Sequence, residues 1–403
     1  YIMKFANILQ QPFTLPCGVT IPNRIVKSAM SENNADKGGK PSERIIKLYN
    51  TWGEGGTGIL ISGNVMMDSK ALNEPRNVVV EDEKYMAELK EWADVSQKHG
   101  SHLWMQINHP GRQSPKFNKD VVSASDVQLP MKSMFPKPRP MTEEEIWKTI
   151  DGFGDCALIA KKAGWKGVQI HGAHGYLVSQ FLSALTNLRT DQWGGSLENR
   201  ARFALEIYRN MRKKVGAGFP IGIKINSADF QRGAFTEEES LEVIDMLSAE
   251  GIDMIEVSGG TYEKAAMMGA GKKVKESTKK REAYFADFIQ KARAKTKAPL
   301  LLTGGFRTLD VMAKAIENNE LDFVGLARPF AVFPYLSKEF FEGTRTEVHI
   351  PPVKTGLKFI DKMGFLDISY FSHQMKMMGK GNLPNPKLSV WSVLFHFIKK
   401  TVF

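Results

Sequence analysis

The stretch GVQIHGAHGY, residues 167–176, reads as a β-strand that runs straight into a chemical site. GVQIHG (167–172) is the strand, and His174 and Tyr176 follow on a turn loosened by Gly172 and Gly175. Seven other short β-rich runs share its character: RIVKSAM (24–30), GILISGNV (58–65), HLWMQIN (102–108), PIGIKIN (220–226), DMIEVSG (253–259), PLLLT (299–303) and DFVGLA (322–327). Helical patterns lie between them near 42–54, 83–99, 142–163, 197–215, 237–250, 283–297 and 308–318. Strands separated each time by one helix imply a parallel sheet. Eight such units point to the α/β class and a closed (β/α)8 TIM barrel rather than an open sheet.

One helix shows the logic. Leu197, Ala201, Ala204, Tyr208, Met211 and Val215 recur in steps of three and four, which puts them on one core-facing stripe. Ser196 stands at the N-cap position, Glu198 suits the positive helix end, and Gly216 and Gly218 mark the stop. Two segments lie outside the repeat. PFTLPCGVTIP (12–22) reads as an N-terminal hairpin capping the barrel bottom, and residues 341–403 form a C-terminal extension to a barrel of residues 1–340. The long, proline-rich loop 109–141 follows the third strand and so overhangs the catalytic face.

The chain has 403 residues, within the range of barrel folds. No run of 18 apolar residues occurs, so no transmembrane helix is expected, and YIMKFANILQQPF has no signal-peptide pattern. Cys17 and Cys156 are the only cysteines, which argues for a reducing, cytoplasmic setting and against a four-thiolate iron–sulfur cluster. The net charge of +11 suits anionic small molecules or a simple solvated basic surface. No zinc finger or RNA-recognition signature supports nucleic acid as a partner.

In such barrels chemistry sits at the C-terminal ends of strands, where HGAHGY begins. Two imidazoles, His171 and His174, can converge on one carbonyl oxygen, with Tyr176 delivering a proton. A metal site is the competing reading, but HxxH lacks the glutamate and helical spacing of HExxH, and no third ligand is near in sequence. A structural role for both histidines is the plain alternative. Gly304 and Gly305 close the seventh strand and Arg328 follows the eighth, the two loops that often bind phosphate in barrels. Lys224, inside the apolar fifth strand, needs an anionic partner or snorkels to the rim. Gln106 and Ser31 are similarly placed polar groups, uninformative alone.

The stretch HGAHGYLVSQFLSALTNLRTDQWGGSLENRARF (171–203) strongly resembles the signature of the Old Yellow Enzyme family, FMN-dependent barrel oxidoreductases. PNRIVKSAM, QINHPGRQSP, LLTGGF and DFVGLARPF support the resemblance in order and spacing over roughly residues 5–340. It implies that Ser28, Ala29, Met30 and Ser31 lie along the flavin ring, with Gly63 and Gln106 on its pyrimidine side. His171 and His174 then hold the activating group of the substrate, and Tyr176 protonates carbon. Lys224 stands beside flavin N1 and O2, and Gly304, Gly305, Ala327 and Arg328 cradle the phosphate. The pair is His/His where many relatives have His/Asn, and Ser31 stands where others carry cysteine or threonine.

The implied activity is that of an ene reductase: NADH or NADPH reduces FMN, and an electron-poor alkene is reduced in turn. A cluster-free dienoyl-CoA reductase-like enzyme is the alternative, with the basic run Lys272 to Arg281 meeting CoA phosphates. A third reading is a flavin-binding protein acting through its aromatic tail SVWSVLFHFIKKTVF (389–403), which packs on the barrel, on a second subunit or on a membrane surface. The nicotinamide preference and the oligomeric state stay open.

Overall fold

Strand pairing closes on itself. In the computed structural model, which describes residues 2–258, 284, 287–350, 352–361 and 365–395, the barrel strands are Ile25–Lys27 (β1), Ile59–Ile61 (β2), His102–Asn108 (β3), Gly167–Gly172 (β4), Ile221–Asn226 (β5), Met254–Ser258 (β6), Leu300–Thr303 (β7) and Phe323–Leu326 (β8). Each pairs in parallel with its chain neighbours, and β8 pairs with β1 to complete the ring. The short strand Val65–Met66 continues the line of β2 beside Ile107 and Asn108.

The expected helices surround it: Glu43–Glu54 (α1), Met86–Gln97 (α2), Glu143–Lys162 (α3), Leu197–Val215 (α4), Glu237–Ala249 (α5), residues 287–295 (α6) and Leu309–Glu317 (α7). Their ends are chemically marked. The Ser196 side chain accepts from the Asn199 N–H, and Gly216, with φ of 86°, closes α4 by donating to Arg212 O. Thr142 with Glu145, and Thr236 with Glu239, form reciprocal capping boxes on α3 and α5. Each such cap contributes about 1 kcal/mol. The sequence did not suggest the helix Ile2–Leu9, whose Phe5, Ala6 and Leu9 are buried. Nor did it suggest the short helices Leu177–Leu182, Arg328–Val332 and Leu336–Phe341. Segments this short lack the repeats that make a helical period readable.

Alternation places every second strand residue inside the barrel. The lower interior layer is apolar: Val26, Ile59, Ile61, Trp104, Met254, Leu301 and Phe323, capped by Leu15 and Ile21 of the hairpin Phe13–Thr14 and Thr20–Ile21. The Trp104 indole fits because Gly167 lies against it; a Cβ there would fall 2.5 Å from the ring. Above this floor the inward positions turn polar, with Ser28, Gln106, Gln169, Lys224, Glu256 and Thr303.

Beyond the barrel, Phe365–Gly379 (α8) packs on α1 and on Arg328–Val332. It buries Leu366, Tyr370, Phe371, Met375 and Met378. Gln374 ties α8 to the chain ahead, accepting from Asn385 N at 2.8 Å and donating to Asn385 O at 2.6 Å. A helical turn over 390–395 buries Val393 and Leu394 and exposes Trp391 and Phe395. The basic run Lys272 to Arg281, Gly259 and tail residues 396–403 lie outside the described residues. Among those described, no helix is long and apolar enough to cross a membrane.

Candidate active site

β4 leaves the barrel at Gly172, and the backbone turns at once. His174 takes φ of 60° and Gly175 φ of 74°, left-handed values that swing the His174 and Tyr176 side chains back over the strand ends. The His171 and His174 rings lie 5.2 Å apart, and the His171 and Tyr176 rings 4.8 Å apart, both edge to face. These three residues line one cavity of about 100 Å³ with Ala29, Ser31, Asn64, Gln106 and Lys224.

The imidazoles are neutral. Burial, then the neighbouring His174 and Lys224, hold His171 well below the usual histidine pKa. Burial and Lys224 do the same to His174. His171 Nδ1 accepts the Ala173 N–H at 3.3 Å, so in the neutral ring the proton sits on Nε2. His174 Nε2 shares a 2.7 Å hydrogen bond with Ser258 Oγ, and its backbone N–H donates to Asn226 Oδ1. The Tyr176 hydroxyl accepts from Asn73 Nδ2 at 3.0 Å, and Asn73 in turn accepts from Asn64.

Several expected residues sit just outside this cavity. Gly63 faces Glu32: its N–H donates to Glu32 Oε1 at 2.9 Å, and a Cβ would collide with the same carboxylate. Met30 packs against the core. Ser31 does line the cavity, and its hydroxyl donates to Glu74, a carboxyl whose pKa burial raises. Ser28 is fully buried and bonds Thr303 at 2.6 Å. Gly304, Gly305, Ala327 and Arg328 gather where β7 and β8 end side by side, Thr303 being in register with Gly325. Gly304 and Gly305 are exposed with φ of 98° and 83°, a backbone that favours glycine, and the Gly304 N–H donates to Gly325 O at 3.3 Å. The Arg328 guanidinium rests over the Phe371 ring, with its Nη1 3.6 Å from Asp367 of α8, so the extension reaches this corner of the barrel.

The residues 9–347 match the family model described as the NADH:flavin oxidoreductase / NADH oxidase family. This chain belongs to that family. It is 38% identical to the NADH-dependent flavin oxidoreductase iliE of Hypocrea jecorina, over 81% of this chain and 87% of the relative. A 2-naphthoyl-CoA reductase in complex with 2-naphthoyl-CoA superimposes with a TM-score of 0.79 at 29% identity, covering 92% of this chain and 58% of that one. The Old Yellow Enzyme homologue of Zymomonas mobilis shares the fold, with a TM-score of 0.71, 22% identity and coverage of 84% and 93%. The protein is therefore a flavin oxidoreductase, with FMN as the family's cofactor and a nicotinamide dinucleotide as reductant.

Within this flavin oxidoreductase the buried partners of the expected residues are the part that sequence reading missed. Lys224 has its counter-ion inside the protein, Glu256 Oε1 at 3.2 Å on the adjacent strand. Gln106 donates to Gln169 at 2.9 Å, and Gln169 to Glu256 at 2.7 Å. Behind β1, Lys27 is wholly buried, lies over Trp52 and donates to Tyr49, which bonds Glu32. Burial lowers the Lys27 pKa to about 7, against the pull of Glu32 and Glu256. One signal was available: Gln169, Lys224 and Glu256 are polar residues inside otherwise apolar strand runs.

Proposed function

We propose that this flavin oxidoreductase is an ene reductase, taking hydride from NADH and reducing the C=C bond of a small α,β-unsaturated carbonyl or nitro compound. The observation that carries the reading is the neutral His171 and His174 pair with the Tyr176 phenol, all on one cavity at the barrel mouth. FMN, when bound, supplies the hydride exchange between the two substrates. The residues fit such a cofactor: Gln106 and Lys224 offer polar contacts at the cavity floor, Ala29 and Ser31 form one wall, and Gly304, Gly305, Ala327 and Arg328, at the adjoining ends of β7 and β8, would hold the phosphate. Ser28, Met30 and Gly63 lie behind that wall and shape it.

The chain's own contribution is polarisation and proton supply. His171 Nε2–H, with its tautomer set by the Ala173 amide, donates to the substrate oxygen. His174 is held beside it by Ser258. As hydride reaches the β-carbon, negative charge grows on that oxygen, and each preorganised donor lowers the barrier by about 2.7–4 kcal/mol. Tyr176 gives the α-carbon its proton. Relatives that are NADH-dependent flavin oxidoreductases support NADH as reductant.

The likeness to 2-naphthoyl-CoA reductase favours a second reading, an unsaturated acyl-CoA as acceptor. One experiment separates them. The purified protein is reduced anaerobically with NADH or NADPH, then mixed with a cyclic enone, a nitroalkene or an enoyl-CoA. Fast reoxidation by enone or nitroalkene supports the first reading. Reoxidation by the acyl-CoA alone supports the second, and reoxidation by no alkene overturns both.

A further inference from the structure

Glu256 has no exposed surface, and the cavity-lining groups Lys224 and Gln106 are wired to it, Gln106 through Gln169. Thr303 Oγ1 donates to its Oε1 at 2.6 Å, Lys224 Nζ lies 3.2 Å from the same atom, and Gln169 Nε2 donates to Oε2 at 2.7 Å. Among the described residues every polar contact it makes comes from a donor, the geometry of an ionised acid.

An acceptor-only centre fixes the direction of the bonds around it. Thr303 has one proton and gives it to Glu256, so the 2.6 Å bond between Ser28 and Thr303 must run from Ser28 to Thr303. Gln169 gives its amide hydrogen to Glu256 and so accepts, through Oε1, from Gln106. Both ends of the chain, Ser28 on one side and Gln106 on the other, are thus polarised towards the carboxylate. Gly325 makes the arrangement sterically feasible, since a Cβ there would collide with Thr303 and come within 2.7 Å of Ser28 Oγ. The same carboxylate offsets the charge of Lys224, which lines the cavity. Lys27 behind β1 feels both members of the pair as well as Glu32.

We infer that Glu256 is a positioning residue of the flavin site: its carboxylate sets the hydrogen-bond polarity beneath the cavity and attenuates the positive charge that Lys224 presents to the ring. The inference rests on the flavin reading of this cavity. Two-electron reduction adds negative charge to a flavin, so the Lys224 charge favours the reduced form and the Glu256 charge opposes it. Removing only the Glu256 charge therefore shifts the two-electron equilibrium towards reduction.

The test uses the full chain. Wild-type apoprotein is first titrated with FMN; no binding would overturn the flavin reading itself. The midpoint potential of bound FMN is then compared for wild type and Glu256→Gln. A shift of at least tenfold towards reduction, about 30 mV upward for a two-electron couple, is expected. A potential unchanged or lowered, with FMN bound, overturns the inference while leaving the flavin reading intact. Should Glu256→Gln fail to hold FMN, the comparison moves to Lys224→Met and the double variant Lys224→Met/Glu256→Gln. The single variant leaves a buried carboxylate unpaired beneath the ring, so the double variant should bind FMN at least tenfold more tightly. Equal or weaker binding by the double variant overturns the coupling.

Discussion

Replacing Tyr176 by phenylalanine removes one oxygen and keeps the ring. That ring is 3% exposed and packs edge to face on His171 at 4.8 Å, so the replacement preserves cavity shape. What is lost locally is the acceptor of a 3.0 Å hydrogen bond from Asn73 Nδ2, itself only half-buried, which costs about 1 kcal/mol of stability. The loss in chemistry is larger. A positioned general acid contributes roughly 10²–10⁴-fold, so the reoxidation step with an enone should slow by that factor, about 2.7–5.4 kcal/mol of barrier. Reduction by NADH takes no proton from Tyr176 and should stay within about threefold of wild type, well under the general-acid factor. Anaerobic stopped-flow absorbance reads the two half-reactions separately on protein of equal FMN content. If both steps slow together, or the enone step keeps its wild-type rate, Tyr176 is not the proton donor and the assigned geometry is wrong.

Other expectations follow from the same structure. His171→Ala combined with His174→Ala should cut enone turnover by roughly 10²–10³ or more while FMN content is retained; comparable turnover would remove them as the polarising pair. Burial depresses the pKa of His109 to about 4 and holds His171 and His174 well below 6.5, so the unfolded chain binds protons that the native protein refuses. Stability in urea should therefore fall as pH drops below about 6.5, by up to roughly 1.4 kcal/mol per unit for each histidine; a flat profile to pH 5 would contradict their neutral burial. Lys27, lowered to about 7, makes stability rise with pH between about 7 and 10.5. Lys27→Met should flatten that slope and stabilise the protein at pH 7.5 by on the order of 1 kcal/mol, and a loss of stability there would show the buried amine to be well paired. Gly325→Ala forces apart the 2.6 Å contact of Ser28 with Thr303 and should cost about 1–3 kcal/mol in thermal unfolding, a wild-type melting curve being the contrary result.

Much of the architecture was legible because it is written in local order. Short apolar runs alternating with amphipathic helices specify units of β followed by α, and caps such as Ser196 and Gly216 mark helix ends within a few residues of the chain. His171, His174 and Tyr176 were legible for the same reason, since six residues at one strand end carry the whole group. The helix Ile2–Leu9 was not, because its eight residues repeat too briefly to show a period. Ser31 was named from its position, but its partner Glu74 lies 43 residues on, and no local pattern connects them.

Taken by itself, then, the sequence determined the repeating unit, the closed count of eight, and the strand end at which His171, His174 and Tyr176 gather. Only the closed barrel decided what each polar side chain faces. Ser28 meets Thr303 across 275 residues, and Lys224 meets Glu256 because two inward positions fall level on neighbouring strands. Periodicity reports which side of a strand is buried, whereas the identity of a buried partner depends on register and closure, which bring distant segments into one dry space where a donor without an acceptor is costly.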